Sequence, residues 1–389
     1  MNDLLNYGIF KYLWIVILMP KTIQFVILSV LSFYYHFKSG FIFNKVTVSF
    51  LSFIFIYILA IVSNLLINQE VDIERLFAAI NVVGMWFFSL IAYCYYHQNE
   101  IDFSKVKRYM FINMLIMIFF SILFLFVRYR TNIFILGRPL AYTDWLRTGR
   151  TERFTGFLEY ANLIALFYLI IFPLALLHIY EKRKIYFLLF IGFSFVPIIT
   201  SNSRTTLAVM LFAVSFLLFF YLLKPRLRII ILLQLPIVVI LIFILFAGEV
   251  RETLYNFFNA RSGSNALRFI VYEESLRSVF QRSPLIGIGI RERFARTAHL
   301  GTHSTYVGII FRTGILGSFL FFSQFLAQVT KLIHKLLQSG YGNFLGFVVA
   351  FLIVIMFEDI DGSNWVLYML FICIGMMNCG QLEKQNSNI

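Results

Sequence analysis

Long apolar runs are the feature that most constrains this chain. Runs such as Val46–Ile67, Leu76–Tyr96 and Thr205–Leu223 carry no charged residue, and a helix of about 20 apolar residues spans the hydrocarbon core of a bilayer. Only 13% of the 389 residues are charged and 60% are hydrophobic, whereas soluble domains are about 25% charged. This pattern excludes soluble, disordered, collagen-like and disulfide-scaffold proteins, and the lack of sustained alternation excludes a membrane β-barrel.

We therefore predict an all-α integral membrane protein, a multi-span bundle of about 11 or 12 helices that forms a single transmembrane domain over residues 1–389. Twelve runs are candidate spans: Ile9–Met19, Thr22–His36, Val46–Ile67, Leu76–Tyr96, Met110–Val127, Ala161–Tyr180, Ile185–Thr200, Thr205–Leu223, Ile229–Phe246, Ser304–Ala327, Phe344–Phe357 and Trp365–Met377. The first two are short and flank Pro20, so they can also form one broken span. No cleavage site of small residues follows the first run, and we interpret it as a retained membrane segment.

Lysine and arginine in the short loops indicate the orientation. Basic clusters at Lys105–Arg108, Lys182–Lys184, Lys224–Arg228 and Lys331–Lys335 fall on one side of the predicted bundle, and the positive-inside rule makes that side cytoplasmic. With twelve spans both termini are cytoplasmic. Two long segments then face outward: an outer loop at residues 128–160, and a larger one at residues 248–303 that carries candidate catalytic motifs.

The two outer loops are rich in arginine and contain no lysine. Together they hold eight acidic residues and fourteen arginines. The arginines are Arg128, Arg130, Arg138, Arg147, Arg150 and Arg153 in the first loop, and Arg251, Arg261, Arg268, Arg277, Arg282, Arg291, Arg293 and Arg296 in the second. A charge held near a membrane needs a partner, and the guanidinium fork binds phosphate as lysine does not. We predict an anionic, phosphorylated ligand. Pairing with loop acids or lipid headgroups is the alternative, and nucleic acid is not expected.

His299 and His303 are the histidines on the predicted outer side. Their spacing of four would suit a metal on a helix, but Gly301 lies between them and no carboxylate occupies the position typical of such motifs. Nearby arginines disfavour the protonated form of His303. A neutral imidazole at the membrane edge can act as a general base; the alternative is a residue that caps the following helix.

Four short motifs then occur in order between Arg153 and Gly317. They are RFTGFLEYAN at residues 153–162, SNSR at 201–204, Arg268 with Tyr272 followed by PLIGIG at 284–289, and HSTY at 303–306 followed by GILG at 314–317. This set resembles the O-antigen ligase and O-antigen or capsule polymerase superfamily of bacterial membrane glycosyltransferases. Three positions depart from the family pattern: Tyr160 replaces a proline, Tyr272 a tryptophan, and Ser304 an asparagine.

The resemblance implies a fold of the membrane glycosyltransferase (GT-C-like) type in the bacterial cytoplasmic membrane, with the reaction on the outer face. It implies a polyprenyl-pyrophosphate-linked glycan as donor, a glycan acceptor, inversion at the anomeric carbon, and neither metal nor other cofactor. The family's functional arginines match Arg204 and Arg268, and its functional histidine matches His303. We expect these three to be catalytic, and we expect substrate-binding contributions from Arg153, Arg277, Arg291 and Arg312.

The implied function is polymerisation of lipid-linked oligosaccharide repeat units, as for capsule, exopolysaccharide or O-antigen. Membrane lipids, a chain-length regulator and a flippase are the expected partners. One alternative is a ligase, which moves the glycan onto another acceptor. A second is a flippase or transporter for lipid-linked sugars, but that class carries charges along its spans, and here Arg312 is the main such charge.

Two further groups leave alternatives open. Glu358, Asp359 and Asp361 lie at a predicted outer turn, where they either balance arginines or bind acceptor hydroxyls. Gly287, Gly289, Gly314 and Gly317 either permit tight turns and close helix approach or contact the ligand. In both groups we favour the first interpretation.

Overall fold

The computed structural model describes residues 2–67, 72–127, 134–135, 138–146, 149–180, 182–224, 227, 262–295 and 298–379. Within these ranges the chain forms thirteen α-helices and six short strands. The helices are α1 Asn2–Lys11, α2 Leu13–Leu18, α3 Lys21–Ser39, α4 Lys45–Ile67, α5 Ile73–Gln98, α6 Phe103–Val127, α7 Leu163–Ile179, α8 Lys184–Thr200, α9 Arg204–Leu222, α10 Ser262–Arg282, α11 Thr305–Gln338, α12 Leu345–Val354 and α13 Asn364–Asn378. This architecture confirms the all-α integral membrane class.

Among the described residues, five helices are long and apolar enough to cross a membrane: α4, α5, α6, α9 and α11. Four shorter apolar helices accompany them, α7, α8, α12 and α13. The predicted span Ile229–Phe246 lies outside the described residues. The predicted span Ile9–Met19 is not one helix, because the chain breaks between α1 and α2 at Tyr12, and α2 has only 6 residues. Pro20 then separates α2 from α3, as its missing N–H favours.

The strands form three antiparallel hairpins, all within the two predicted outer loops. Hairpin β1–β2 pairs Phe134–Ile135 with Arg138–Pro139, β3–β4 pairs Ala141–Leu146 with Gly149–Phe154, and β5–β6 pairs Arg293–Ala295 with Ala298–His299. In the second hairpin Tyr142 lies opposite Arg153. This register places an aromatic hydroxyl beside the arginine of the first motif.

An aromatic cluster joins four helices at the centre of the bundle. The Trp86 ring of α5 is fully buried and packs against Phe53 of α4 at 4.9 Å, Phe321 of α11 at 5.6 Å and Phe371 of α13 at 5.7 Å between ring centroids. Helices in lipid associate through such packing contacts because lipid tails are as apolar as the helix surface. The indole Nε1 donates a hydrogen bond to Asp361 Oδ2 at 3.2 Å, so the same residue connects this core to the polar end of the bundle.

Helix α11 is broken at Gly314, where φ is +59°. The segment 284–289 packs into this break: Ile288 N donates to Phe311 O at 2.8 Å and Ile315 N donates to Pro284 O at 2.9 Å. A Cβ at position 287 would lie 2.5 Å from Gly314 N, so any residue other than glycine would overlap the backbone of α11. The interpretation of these two glycines as sites of close backbone approach is confirmed.

Candidate functional site

The starts of α7, α9, α11 and α13 meet the end of α12 at one end of the bundle. Residues Glu358, Asp359 and Asp361, which we call the acidic turn, follow α12 there. Thr305 fixes this turn on the first residue of α11: its Oγ1 donates to Glu358 O at 2.9 Å and accepts from Ile360 N at 3.0 Å. Three carboxylates are thereby held against the helix start that follows His303.

His303 adopts φ of +64°, a left-handed conformation that is uncommon outside glycine. The Tyr272 hydroxyl of α10 donates to its carbonyl at 2.7 Å. Burial and the nearby Arg268 guanidinium lower the pKa of His303 to about 4, so the imidazole is neutral at pH 7. The cap of α11 is Ser304, which accepts from Val307 N at 3.4 Å. Ser304 and not His303 therefore caps the helix, so capping does not explain why a histidine occupies position 303.

A metal site at His299 and His303 would require both residues on one face of a helix, and the structure does not place them so. His299 ends strand β6, and His303 lies in the turn before α11. The structure thus gives no support to a helical two-histidine motif.

Arg268 lies on α10 beside the acidic turn, and its contacts are long. Its Nη2 is 3.6 Å from Glu358 Oε1, and its Nη1 donates to Phe357 O at 3.4 Å. The Arg268 side chain is 20% exposed, whereas that of Glu358 is 5% exposed. Burial raises the pKa of Glu358 to about 7, although Arg268 and a hydrogen bond with Asn162 oppose the shift. Glu358 therefore titrates near physiological pH.

A second group of polar residues surrounds Arg153, which is 4% exposed. Its guanidinium donates to Ser201 O at 3.0 Å, to Tyr142 Oη at 2.7 Å and to Asn162 Oδ1 at 2.9 Å. The Asn162 side chain also lies close enough to the Glu358 carboxyl to lower its pKa. Asn162 consequently links Arg153 to the group that contains Arg268.

Arg204 begins α9 directly after the cap residue Ser203, whose hydroxyl donates to Asn162 Oδ1 at 3.3 Å. Its guanidinium is half-buried and lies close enough to Arg153 for their charges to interact. Asn202, before the cap, has φ of +50°. The SNSR motif thus forms a tight turn that brings Ser203 to Asn162 and Arg204 within electrostatic range of Arg153.

Arg291 and Arg312 are held by the other two acids of the acidic turn. Arg312 is 0% exposed and lies 2.9 Å from Asp361 Oδ2 and 3.4 Å from Asp359 Oδ2. Arg291 Nη2 lies 3.1 Å from Asp361 Oδ1 and also contacts Asp359. Burial disfavours the charged form of Asp359, but Arg312 and Arg291 outweigh it and lower the pKa of Asp359 below its usual value. These contacts support the interpretation that the acids balance arginines.

The structure thus places the seven predicted site residues in different settings. Arg153 contacts Asn162 and lies within electrostatic range of Arg204, while Arg268 pairs with Glu358 and lies within electrostatic range of His303. Arg291 and Arg312 form a neighbouring ion-paired group. Arg277 is 63% exposed and lies 3.6 Å from Glu274 on α10; no contact of a described residue joins it to the others. Substrate contact by Arg277, Arg291 and Arg312 stays a prediction.

Two residues of the site carry roles that sequence reasoning missed. Asn162 and Tyr272 were visible only as motif positions, yet Asn162 accepts from Arg153 and lowers the pKa of Glu358, and Tyr272 holds the His303 carbonyl. The sequence feature that indicates a role for Glu358 is its position in an acidic cluster beside apolar runs. A charged residue near the membrane is energetically costly and is typical of a functional or ion-paired site.

Comparison with known protein families gives a match over part of the chain. Residues 186–322 match the model of the family described as O-Antigen ligase. The match runs from α8 into α11 and includes Arg204, Arg268 and His303, while Arg153 and the acidic turn lie outside it. No curated protein matches the chain. Residues 186–322 of this multi-pass membrane protein are thus similar to the O-Antigen ligase family, which confirms the superfamily resemblance and supports a coarse role as a glycosyltransferase-type enzyme of lipid-linked glycan processing.

Proposed function

We propose that this chain polymerises polyprenyl-pyrophosphate-linked oligosaccharide repeat units at the bundle end that holds Arg204, Arg268 and His303. The observation that carries the proposal is the placement of His303 beside Arg268. Tyr272, one helical turn after Arg268, donates to the His303 carbonyl, and burial together with Arg268 lowers the pKa of His303 to about 4. A cationic guanidinium and a neutral imidazole thus lie within electrostatic range of each other.

The imidazole and the guanidinium can assist two different atoms in one displacement, the attacking hydroxyl oxygen and the leaving diphosphate oxygen. In the proposed step the imidazole accepts the proton of an acceptor hydroxyl, whose oxygen bonds to the anomeric carbon of the donor. The bond between that carbon and the phosphate oxygen breaks, and the lipid diphosphate leaves with its negative charge. Arg268 and Arg204 stabilise this charge. Attack opposite the leaving group inverts the anomeric carbon.

The charge distribution supports a reaction at the outer face. Lys335, on the predicted cytoplasmic side, donates to Met377 O at 2.8 Å at the far ends of α11 and α13, whereas the arginine group lies at the starts of these two helices. By the positive-inside rule the lysine end is cytoplasmic, so the proposed site faces outward and both termini face the cytoplasm. Membrane lipids, the glycan acceptor, a chain-length regulator and a flippase are the proposed partners.

A ligase is the second candidate, because the matched family is described as O-Antigen ligase. Polymerase and ligase share the donor and differ in the acceptor: a second lipid-linked repeat unit, or a separate acceptor molecule. A flippase is a weaker candidate. Arg312, the main charge within the predicted spans, is ion-paired with Asp359 and Asp361 and so gives no row of unpaired charges along a path.

The experiment is complementation of a strain that lacks the corresponding gene. We expect His303→Ala and Arg268→Ala to abolish long polymer while lipid-linked repeat units accumulate, because donor synthesis does not need this chain. Suitable controls are His36→Ala, an exposed histidine of α3, and Arg282→Lys on α10, which should both retain polymer. Wild-type ladders from either site variant, at equal protein level, would refute the proposal. Undiminished polymer length with free glycan left unattached would favour the ligase.

A further inference from the structure

Arg268 differs from the neighbouring arginines in how its charge is balanced. Arg312 and Arg291 approach their aspartates to 2.9 and 3.1 Å, which are hydrogen-bond distances. Arg268 Nη2 remains 3.6 Å from Glu358 Oε1, which exceeds the range of a hydrogen bond. Arg268 is also the more exposed partner of its pair, at 20% against 5% for Glu358. Its pairing is the loosest of the three and is the one that a ligand can replace.

The Glu358 side chain has a second polar neighbour that does not depend on Arg268. Asn162 lies close enough to the carboxyl to lower its pKa, and Asn162 is itself held by Arg153 at 2.9 Å. The Glu358 backbone is fixed as well, because its carbonyl accepts from Thr305 Oγ1 at 2.9 Å. Glu358 can therefore release Arg268 without leaving its position.

The ionisable groups around Glu358 have mixed effects on its charge. Arg268 of α10 favours the carboxylate. Asp359 of the same turn disfavours it, and the hydroxyls of Tyr272 on α10 and Tyr160 before α7 also lie within electrostatic range. Burial is the largest influence and favours the neutral form, so the pKa of Glu358 is about 7. Either charge state is accessible at physiological pH, and a nearby anion would favour the neutral one.

We propose that Glu358 is the counter-ion that Arg268 exchanges for the diphosphate of the lipid-linked donor, and that Glu358 takes up one proton from solvent as the donor binds. This inference rests on the proposed function, because it takes Arg268 as the diphosphate contact. Neutral Glu358 keeps its position through the backbone contact with Thr305, and the freed guanidinium turns both Nη atoms toward phosphate oxygens. No covalent bond other than the O–H bond of the carboxyl forms in this step.

The exchange makes diphosphate affinity depend on pH. Below about pH 7 the free site already carries the proton, and affinity has no contribution from Glu358. Well above pH 7 the proton must be acquired on binding, and affinity falls about tenfold for each pH unit. Glu358→Gln is neutral at every pH, so it should remove this dependence and bind the diphosphate about tenfold tighter than wild type at pH 8.

The test uses the full chain in lipid nanodiscs and a polyprenyl diphosphate as the probe. Calorimetric titration at pH 8 in two buffers of different ionisation enthalpy gives the protons taken up on binding. Protons that belong to the probe are common to all variants, so we expect wild type to take up about one proton more than Glu358→Gln. The matched control is Glu292→Gln, another outer-loop glutamate, which pairs with Arg282 at 2.7 Å and should behave as wild type.

Equal proton uptake by wild type and Glu358→Gln would overturn the inference, as would loss of binding in Glu358→Gln at every pH. Should that variant fail to fold, the wild-type titration still decides, because a constant affinity from pH 7 to 9 would also overturn it. Arg268→Ala separates this inference from the function itself. If Arg268→Ala binds the diphosphate as wild type does, the proposed function fails; if only the pH dependence is missing in wild type, the exchange alone fails.

Discussion

At His303, backbone strain and candidate chemistry coincide. A non-glycine residue at φ of +64° costs about 1–2 kcal/mol relative to the usual conformations, and such strain persists where the surroundings impose it. Here the imposing contacts are the Tyr272 hydroxyl on the carbonyl and the Ser304 cap that follows. The candidate catalytic position therefore has a backbone conformation that lowers local stability.

We expect His303→Asn and His303→Ala to separate these two properties. Both lack an imidazole and should lose transfer by about 100-fold or more, the usual contribution of a general base. Asparagine adopts positive φ more readily than alanine, so His303→Asn should unfold near the wild-type temperature and His303→Ala about one to two degrees lower. Thermal unfolding in detergent measures this. Equal unfolding temperatures for the two variants would show that the strain is not retained.

The lowered pKa of His303 also predicts the direction of its effect on stability. Its pKa is about 4 in the folded chain and about 6.5 when unfolded, so the unfolded state binds more protons between these values. The stability associated with neutral His303 is complete above pH 6.5 and is lost as the pH falls toward 4. We expect the unfolding temperature of wild type to fall more than that of His303→Asn between pH 6.5 and 4.5. A parallel fall in both would contradict a buried neutral imidazole.

At the scale of elements, the contact between residues 284–289 and the break in α11 positions the site. Gly287 and Gly314 approach so closely that a Cβ on either would lie 2.5 Å from the backbone of the other. The contact holds the end of α10 against α11, and α10 carries Arg268 and Tyr272. Disturbing it should therefore move the guanidinium away from His303.

Gly287→Ala and Gly340→Ala form a matched pair that tests this contact. Both glycines have φ near +80°, but nothing lies within 4 Å of a Cβ on Gly340. Both substitutions place alanine at a similar positive φ and so have a similar conformational cost. Only Gly287→Ala adds steric overlap with the backbone of α11, which in a packed interior costs about 1–3 kcal/mol. We expect Gly287→Ala to unfold at a clearly lower temperature and to lose transfer activity. Similar losses in both variants would show that overlap is not the cause.

The sequence predicted most helices because uncharged runs have clear ends. The predicted span Thr205–Leu223 is observed as Arg204–Leu222, and Val46–Ile67 is observed as Lys45–Ile67. Helix α11 extends to Gln338. The prediction ended at Ala327 because polar residues such as Gln328 and Lys335 interrupt the apolar run, although both are buried in the structure. Helix α10 was not predicted, since it lies in a polar outer loop where no apolar run marks it.

At the scale of the whole molecule, the site depends on contacts between residues far apart in the chain. Local motifs predicted Arg204, Arg268 and His303 as site residues, and Tyr272, one turn after Arg268, donates to the His303 carbonyl. The partner of each arginine could not be read from the sequence, since Arg268 and Arg312 meet acids of a turn that follows α12. Charge counting showed that the acids were too few in the outer loops, and the acidic turn supplies the missing carboxylates for Arg291 and Arg312 from another segment.

The central claim is that one imidazole and one guanidinium at this end of the bundle divide the reaction between them. The most direct measurement is single-turnover transfer by the purified full chain in nanodiscs, with donor binding measured on the same samples. We expect His303→Asn to bind the lipid-linked donor as wild type does but to transfer at least about 100-fold more slowly, and Arg268→Lys to lose donor affinity. Transfer by His303→Asn at the wild-type rate would contradict the account.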